Sequence, residues 1–310
     1  LMDSNFDPVI KKVYEIYGQV IEEFKPVRNP EIMLCELRNK YKLLVKPRIV
    51  YITIAAFLNN RPVLFEGPPG TGKTEIGEAI LSLWAGKTAF VLPCSENYDE
   101  YRVIGDFHPV MAMSKGFNEE SFIPRPLLAA LIIDTGVLID EVRRSSEEFQ
   151  NMLLDIIDKR RIIVPELKRV YRQRGIGFQV ILTSNPEDIA QNELSDAFLR
   201  RVVRIRFTYP SPEEEIEILK IRLGEGYYSV PREYIGKVLD VINYLRKHAI
   251  YKPGPSDTVS WAMLAIKIAK AKGSKAVSID DLAEAGEAIL IKNIEDEDLV
   301  REAIGKYLKR

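Results

Sequence analysis

Cysteine and histidine are nearly missing from this 310-residue chain, which holds two of each. Cys35 and Cys94 are too few and too far apart for a disulfide framework or a zinc cluster, which points to a reducing compartment, expected to be the cytoplasm. His108 and His248 are equally isolated, so histidine ligation of a metal is not expected and both read as packed or surface imidazoles. Neither sign of charge is in excess. Lys and Arg number 44 against 45 Asp and Glu, a formal net charge of −1. That balance argues against a surface given over to a nucleic-acid backbone, while leaving room for a local basic patch. No apolar run has the length of a membrane span, and the first residues lack the apolar stretch of a signal peptide. Glutamine is scarce beside Glu, Lys and Arg, a balance that leans toward a heat-adapted source. Hydrophobic residues are plentiful at 46%, a globular composition, and the length suffices for two domains.

Against that plain background, Gly67-Pro-Pro-Gly-Thr-Gly-Lys-Thr74 is a complete phosphate-binding loop, G-x-x-x-x-G-K-[ST]. Glycines at Gly67, Gly70 and Gly72 let successive amides turn inward as an anion nest. Lys73 can reach β- and γ-phosphates as a point charge, and Thr74 offers a hydroxyl to Mg²⁺. The flanks agree with the motif: Arg61–Glu66 reads as a buried strand, and Lys73–Trp84 as a helix with Ile76, Ile80 and Leu83 at helical spacing. The stretch Gly67, Pro68, Pro69, Gly70, Thr71, Gly72, Lys73, Thr74 and Glu75 is therefore expected to bind a nucleoside triphosphate.

Residues 6–28 carry helical periodicity, with Pro26 and Pro30 marking the end, and Pro47–Leu58 reads as a second helix. Four more strands are expected at Thr88–Leu92, Val137–Ile139, Phe178–Ser184 and Val202–Phe207, with helices between most of them, which predicts a parallel α/β sheet. Beyond Tyr209-Pro-Ser-Pro212 the strand patterns stop. Amphipathic helices are expected at 213–223, 231–247, 256–272, 278–292 and 295–309, one of them capped by Ser278. The expected domains are an N-terminal helical segment over 1–40, a nucleotide-binding core over 41–209 and a helical lid over 210–310.

A phosphate-binding loop needs a carboxylate at the end of a neighbouring strand to hold Mg²⁺. Two apolar runs end in aspartate. Leu131-Ile-Ile-Asp134 reads as the end of a helix begun at Pro126, with Gly136 as its stop. Val137-Leu-Ile-Asp140 reads as a strand, and Glu141 follows directly. Asp140 is thus the expected Mg²⁺ carboxylate and Glu141 the expected general base for the attacking water. Ser145-x-x-Glu148 reads as a capping box for the next helix.

The loop, the Val137–Glu141 strand end, a strand ending Thr183-Ser-Asn-Pro186, and Leu194-Ser-Asp-Ala-Phe-Leu-Arg-Arg201 occur in that order. Together they resemble an AAA+ ATPase, and within that superfamily the MoxR-like branch, whose IDEINR…QNALLE stretch is similar to Ile139–Leu154. The resemblance implies a P-loop NTPase αβα sandwich with a five-stranded parallel sheet, followed by a small all-α lid. It implies ATP with Mg²⁺ as ligands and hydrolysis as the reaction. It gives Asn185 the sensor role beside the γ-phosphate, and Arg201, or Arg200 beside it, the role of an arginine finger acting on a neighbouring subunit's nucleotide. A ring, usually hexameric, and a protein client follow from the family, in which partners with a von Willebrand factor A domain are common.

The chain also departs from the branch. Arg143 stands where asparagine is frequent, and Leu199-Arg-Arg-Val202 replaces Leu-Asp-Arg-Phe. Thr258 occupies the place of the lid arginine, with Lys252 as the nearby candidate substitute. Two insertions are the candidate client surfaces: Glu96–Asn118, with Tyr98, Tyr101, Phe107 and Met113, and Arg160–Gly177, a basic hairpin. Two rival readings remain open. One is a nucleic-acid-stimulated motor or loader, or a GTP-using relative. The other is a nucleotide-gated assembly module without turnover.

Overall fold

A computed structural model of the chain describes residues 7–95, 99–186 and 193–308. Phe6, Tyr98 and Lys309, which fall within expected elements or insertions, lie outside the described residues. The chain divides into two compact units. The first holds residues 1–37, 45–67 and 73–206, and the second holds 38–44, 68–72 and 207–310.

The first unit opens with α1 (Pro8–Tyr17), α2 (Pro30–Asn39, its last residues in the second unit) and α3 (Pro47–Leu58). It continues through β1 (Val63–Glu66), α4 (Lys73–Ala85), β2 (Phe90–Pro93), α5 (Glu100–Val103), β3 (Gly105–Phe107), α6 (Pro109–Lys115), β4 (Phe122–Pro124) and α7 (Pro126–Ile133). Then follow β5 (Val137–Asp140), α8 (Glu147–Lys159), β6 (Arg161–Val164), β7 (Arg169–Arg172), β8 (Val180–Ser184), α9 (Asp196–Leu199) and β9 (Val203–Arg206). Five strands form one parallel sheet in the order β2-β5-β8-β1-β9. This is a P-loop ATPase fold. β1 and β8 are buried along their whole length, which explains their continuous apolar runs. β1 lies between β8 and β9, so the chain after it emerges at the point where strand order reverses, the place where open α/β sheets bind ligands. α4 can lie close on the sheet because residue 77 is glycine: a Cβ there would sit 2.4 Å from a Leu138 methyl carbon.

The insertions also take form. β3 and β4 pair antiparallel around α6, and β6 pairs antiparallel with β7, the expected hairpin. In the second unit, α10 (Pro212–Leu223), α11 (Arg232–His248), α12 (Pro255–Ala271), α13 (Ile279–Leu290) and α14 (Glu297–Leu308) bury Trp261, Val241, Ile242, Ala265 and Leu282 in a core of their own.

Three local expectations are corrected. The first helix stops at Tyr17 with Gly18 as its cap, well short of residue 28, although Ile21 still packs on the core. Pro30 starts a helix instead of ending one, because a proline in the first turn has no intrahelical amide to lose; the Asn29 side chain accepts from Ile32 N at 3.1 Å. α7 is terminated by Asp134 in the left-handed conformation (φ 60°), not by Gly136. A smaller shift concerns α8. Its cap is Ser146, which accepts from Phe149 N, while the Ser145 hydroxyl donates to Val142 O.

Candidate functional site

The loop from Gly67 to Thr74 links β1 to α4, and its shape follows from its glycines. Gly70 (φ 70°) and Gly72 (φ 83°) adopt left-handed backbone that a side chain would strain. Gly67 N donates to Ser184 O at 3.2 Å, tying the loop's first residue to the end of β8. Lys73 opens α4 almost wholly buried, with its ammonium donating to Gly67 O at 2.8 Å. Burial pulls its pKa down, and the charges of Glu141 and Asp140 push it up. Glu75 is exposed in the first turn of the same helix.

Parallel register brings the strand ends level: Pro93 pairs with Asp140, and Ser184 with Glu66. Asp140 Oδ1 accepts from the Thr74 hydroxyl at 2.7 Å, so the end of β5 meets the first turn of α4. Glu141 follows in the left-handed conformation (φ 54°, ψ 51°). Asn185, half-buried, follows Ser184. Thus Lys73, Thr74, Asp140 and Glu141 converge at one edge of the sheet. Cys94 lies there too, its amide donating to Asp140 O at 2.9 Å; burial and then the two carboxylates push its thiol up to about 12. Asp134, the competing aspartate, is taken up elsewhere, accepting from the Gly177 and Phe178 amides at 3.1 and 3.0 Å.

The arginines are placed differently. Arg201 bonds Asp158 on α8 at 2.6 Å and Ala197 O at 2.9 Å within its own chain. Arg200 is exposed, and its carbonyl accepts from Arg61 at 2.8 Å. In the second unit, the Thr258 hydroxyl is buried and donates to Glu215 at 2.8 Å, beside the bidentate Arg246–Glu215 pair. Lys252 is exposed near the start of α12.

Sequence reasoning missed a charge network beside the loop. Glu66, at the end of β1, is 2% exposed. It accepts from Arg204 at 2.8 Å and meets Arg143 at 3.4 Å. Arg143 in turn donates to the Ser184 hydroxyl at 2.7 Å. The signal was a lone carboxylate closing an apolar strand, yet its partners stand 77 and 138 positions away.

Residues 62–202 match the family described as AAA domain (dynein-related subfamily). Over that stretch the chain carries an AAA domain, and it is similar to AAA+ ATPases of the MoxR-like branch. Among curated relatives of the chain is the gas vesicle ATPase GvpN of Ancylobacter aquaticus, 27% identical over 73% of the chain and 65% of that protein. Protein CbbQ of Hydrogenophilus thermoluteolus is 26% identical over 61% of the chain and 71% of its own length. Protein NorQ of Paracoccus denitrificans (strain Pd 1222) is 27% identical over 55% and 61%. The matched stretch thus spans less than two thirds of GvpN and NorQ.

Proposed function

We propose that this chain hydrolyses ATP in sites that neighbouring copies of a ring complete, hexameric by family habit, and that turnover remodels or assembles a protein partner in the cytoplasm. The convergence of Lys73, Thr74, Asp140 and Glu141 at the switch point of the sheet carries this reading. The loop amides and Lys73 hold the phosphates. Thr74 and Asp140 supply hard oxygen donors, which suits Mg²⁺, an ion commonly held by one or two carboxylates together with substrate phosphates. Among the described residues no cluster of three or more His, Cys, Asp or Glu gathers, in keeping with an ion that arrives with the nucleotide. When bound, Mg²⁺ neutralises charge on the phosphoryl oxygens. Glu141 takes the proton of the attacking water, and Asn185 orients that water. Arg201 reaches the neighbouring copy's γ-phosphate, with Arg200 as the alternative. Its pair with Asp158 is half-exposed, so releasing it costs at most about 1 kcal/mol. Lys252 supplies the lid's positive charge in place of Thr258.

The client surface is the α5–β4 insertion. Tyr101, Val110, Met113 and Phe117 are exposed there, and Tyr101, Met113 and Phe117 line a cavity of about 440 Å³. A partner with a von Willebrand factor A domain is one candidate occupant. The β6–β7 hairpin favours a second reading, because Arg161 lies directly across from Arg172 and Arg174 follows; stimulation of turnover by DNA or RNA would establish it. No described helix is long and apolar enough to cross a membrane.

Two variants test the central reading. Lys73→Ala is expected to lose nucleotide binding, measured with a fluorescent ATP analogue. Glu141→Gln is expected to keep binding and lose phosphate release, and undiminished release would remove Glu141 from the base role. Trapped in ATP, the same variant should also retain the client in a pulldown.

A further inference from the structure

Asp140 and Glu141 are adjacent, yet the proposed function gives them different tasks, so something must aim them separately. We propose that Thr183, the penultimate residue of β8, is the positioning residue for both, a role that rests on the proposed function. Thr183 is wholly buried. Its hydroxyl donates to Asp140 Oδ1 at 2.5 Å and accepts from the Glu141 amide at 2.9 Å. A hydroxyl has one proton and two lone pairs. The proton is committed to the aspartate and one lone pair to the glutamate's backbone.

Both bonds do something that the sheet does not need. β8 is the apolar row Val180-Ile-Leu182 followed by Thr183, and a valine at 183 would serve strand propensity and packing equally well. The hydroxyl alone reaches β5. Glu141 holds the left-handed backbone that non-glycine residues avoid, and such a conformation persists only where its surroundings over-determine it. The bond from Glu141 N to Thr183 supplies that restraint on one side, and Arg144 N donating to Glu141 O at 2.9 Å supplies it on the other. Asp140 Oδ1 takes donors from Thr74 and Thr183 together. Thr74 would offer Mg²⁺ a lone pair and keep its proton for Asp140, so Thr183 is the second, fully buried donor that fixes where the carboxylate points.

The test compares Thr183→Val, which keeps the shape without the hydroxyl, with Thr183→Ser, which keeps the hydroxyl. Affinity for a fluorescent ATP analogue is measured in EDTA and across a Mg²⁺ titration, alongside kcat and KM for ATP. In EDTA, T183V should bind as wild type does, which also shows that it is folded. The Mg²⁺ concentration giving half-maximal binding should rise, and kcat should fall roughly tenfold to a hundredfold with KM little changed, the size expected for losing one hydrogen bond to a charged group. T183S should recover most of both. Wild-type Mg²⁺ dependence and kcat in T183V would overturn the proposal, as would T183S being as impaired as T183V, since packing alone would then explain the loss. Should T183V fail to fold, Thr183→Cys, of similar size with a weak donor, carries the same expectations. If wild type itself releases no phosphate, the hydrolysis reading fails, while the Mg²⁺ titration of binding still decides the role of Thr183.

Discussion

Glu66 shows how a single residue can be held at high electrostatic stakes. Its carboxylate closes β1 just before the phosphate loop, shielded from water, and the guanidiniums of Arg204 and Arg143 answer its charge. Removing one partner of a buried pair leaves the other uncompensated, and the loss exceeds the net worth of the pair. Arg204→Ala is therefore expected to destabilise the first unit by about 2 kcal/mol, the scale of a hydrogen bond to a charged group, read as a lower urea midpoint. Adding Glu66→Gln to that variant should restore part of the loss, because a neutral amide tolerates the same site. No recovery in the double variant would mean that Arg204 acts through its stem and not its charge. Arg143 belongs to the same network. Its departure from the asparagine frequent in the branch therefore coincides with an ion pair to Glu66 and a bond to Ser184.

At the level of elements, the helical unit is set by its caps. Ser278 accepts from Asp281 N, and Asp281 returns the bond to Ser278 N at 2.9 Å, so two orphan donors of α13 are satisfied reciprocally. Lys272 adds a bond to the same carboxylate at 2.8 Å. The Lys272 bond, followed by the Ser278 amide, lowers Asp281 from 3.8 to about 2. A carboxylate whose folded pKa lies below its unfolded value stabilises the fold above the unfolded value and stops doing so as pH falls through the folded one. Asp281→Asn should therefore cost about 1 kcal/mol near neutrality. The gap between variant and wild type should close between pH 4 and pH 2 in thermal melts. A pH-independent gap would mean that the cap, not the charge, carries the effect. All five helices of this unit were legible because each keeps an apolar face through three or more turns, whereas α2 was not. Pro30 carries the same residue type at a helix start that sequence reading takes for a stop, and only the Asn29 cap tells the two apart.

For the whole molecule the decisive question is whether one copy suffices. If Arg201 serves a neighbour, Arg201→Ala and Glu141→Gln subunits should each be inactive alone. Mixed, they should recover a fraction of wild-type phosphate release, because some interfaces then combine an intact glutamate with an intact arginine. No recovery across mixing ratios would confine the reaction to single chains. Parallel trials with Arg200→Ala assign the finger between the two arginines. The pair of Arg201 with Asp158 adds a further reason to try both, since the finger candidate is already engaged within its own chain.

The loop Gly67–Thr74 and the Asp140-Glu141 step could be read from the chain because their chemistry is contiguous. Glycine's tolerance of left-handed backbone and the donors of Lys73 and Thr74 are properties of neighbouring residues, and a strand followed by a helix needs only local periodicity. β1, β5 and β8 were legible for a related reason, since burial on both faces favours a run of apolar residues. Which strands lie side by side was not written locally. That order sets Thr183 against Asp140 and Glu141, Ser184 against Arg143, and Arg204 against Glu66, pairs separated by 41 to 138 positions. It also parted the two aspartates, leaving Asp134 to the Gly177 and Phe178 amides and Asp140 to Thr74. A hydroxyl or carboxylate carries the same chemistry wherever it stands, and only the register of the folded sheet selects its partner.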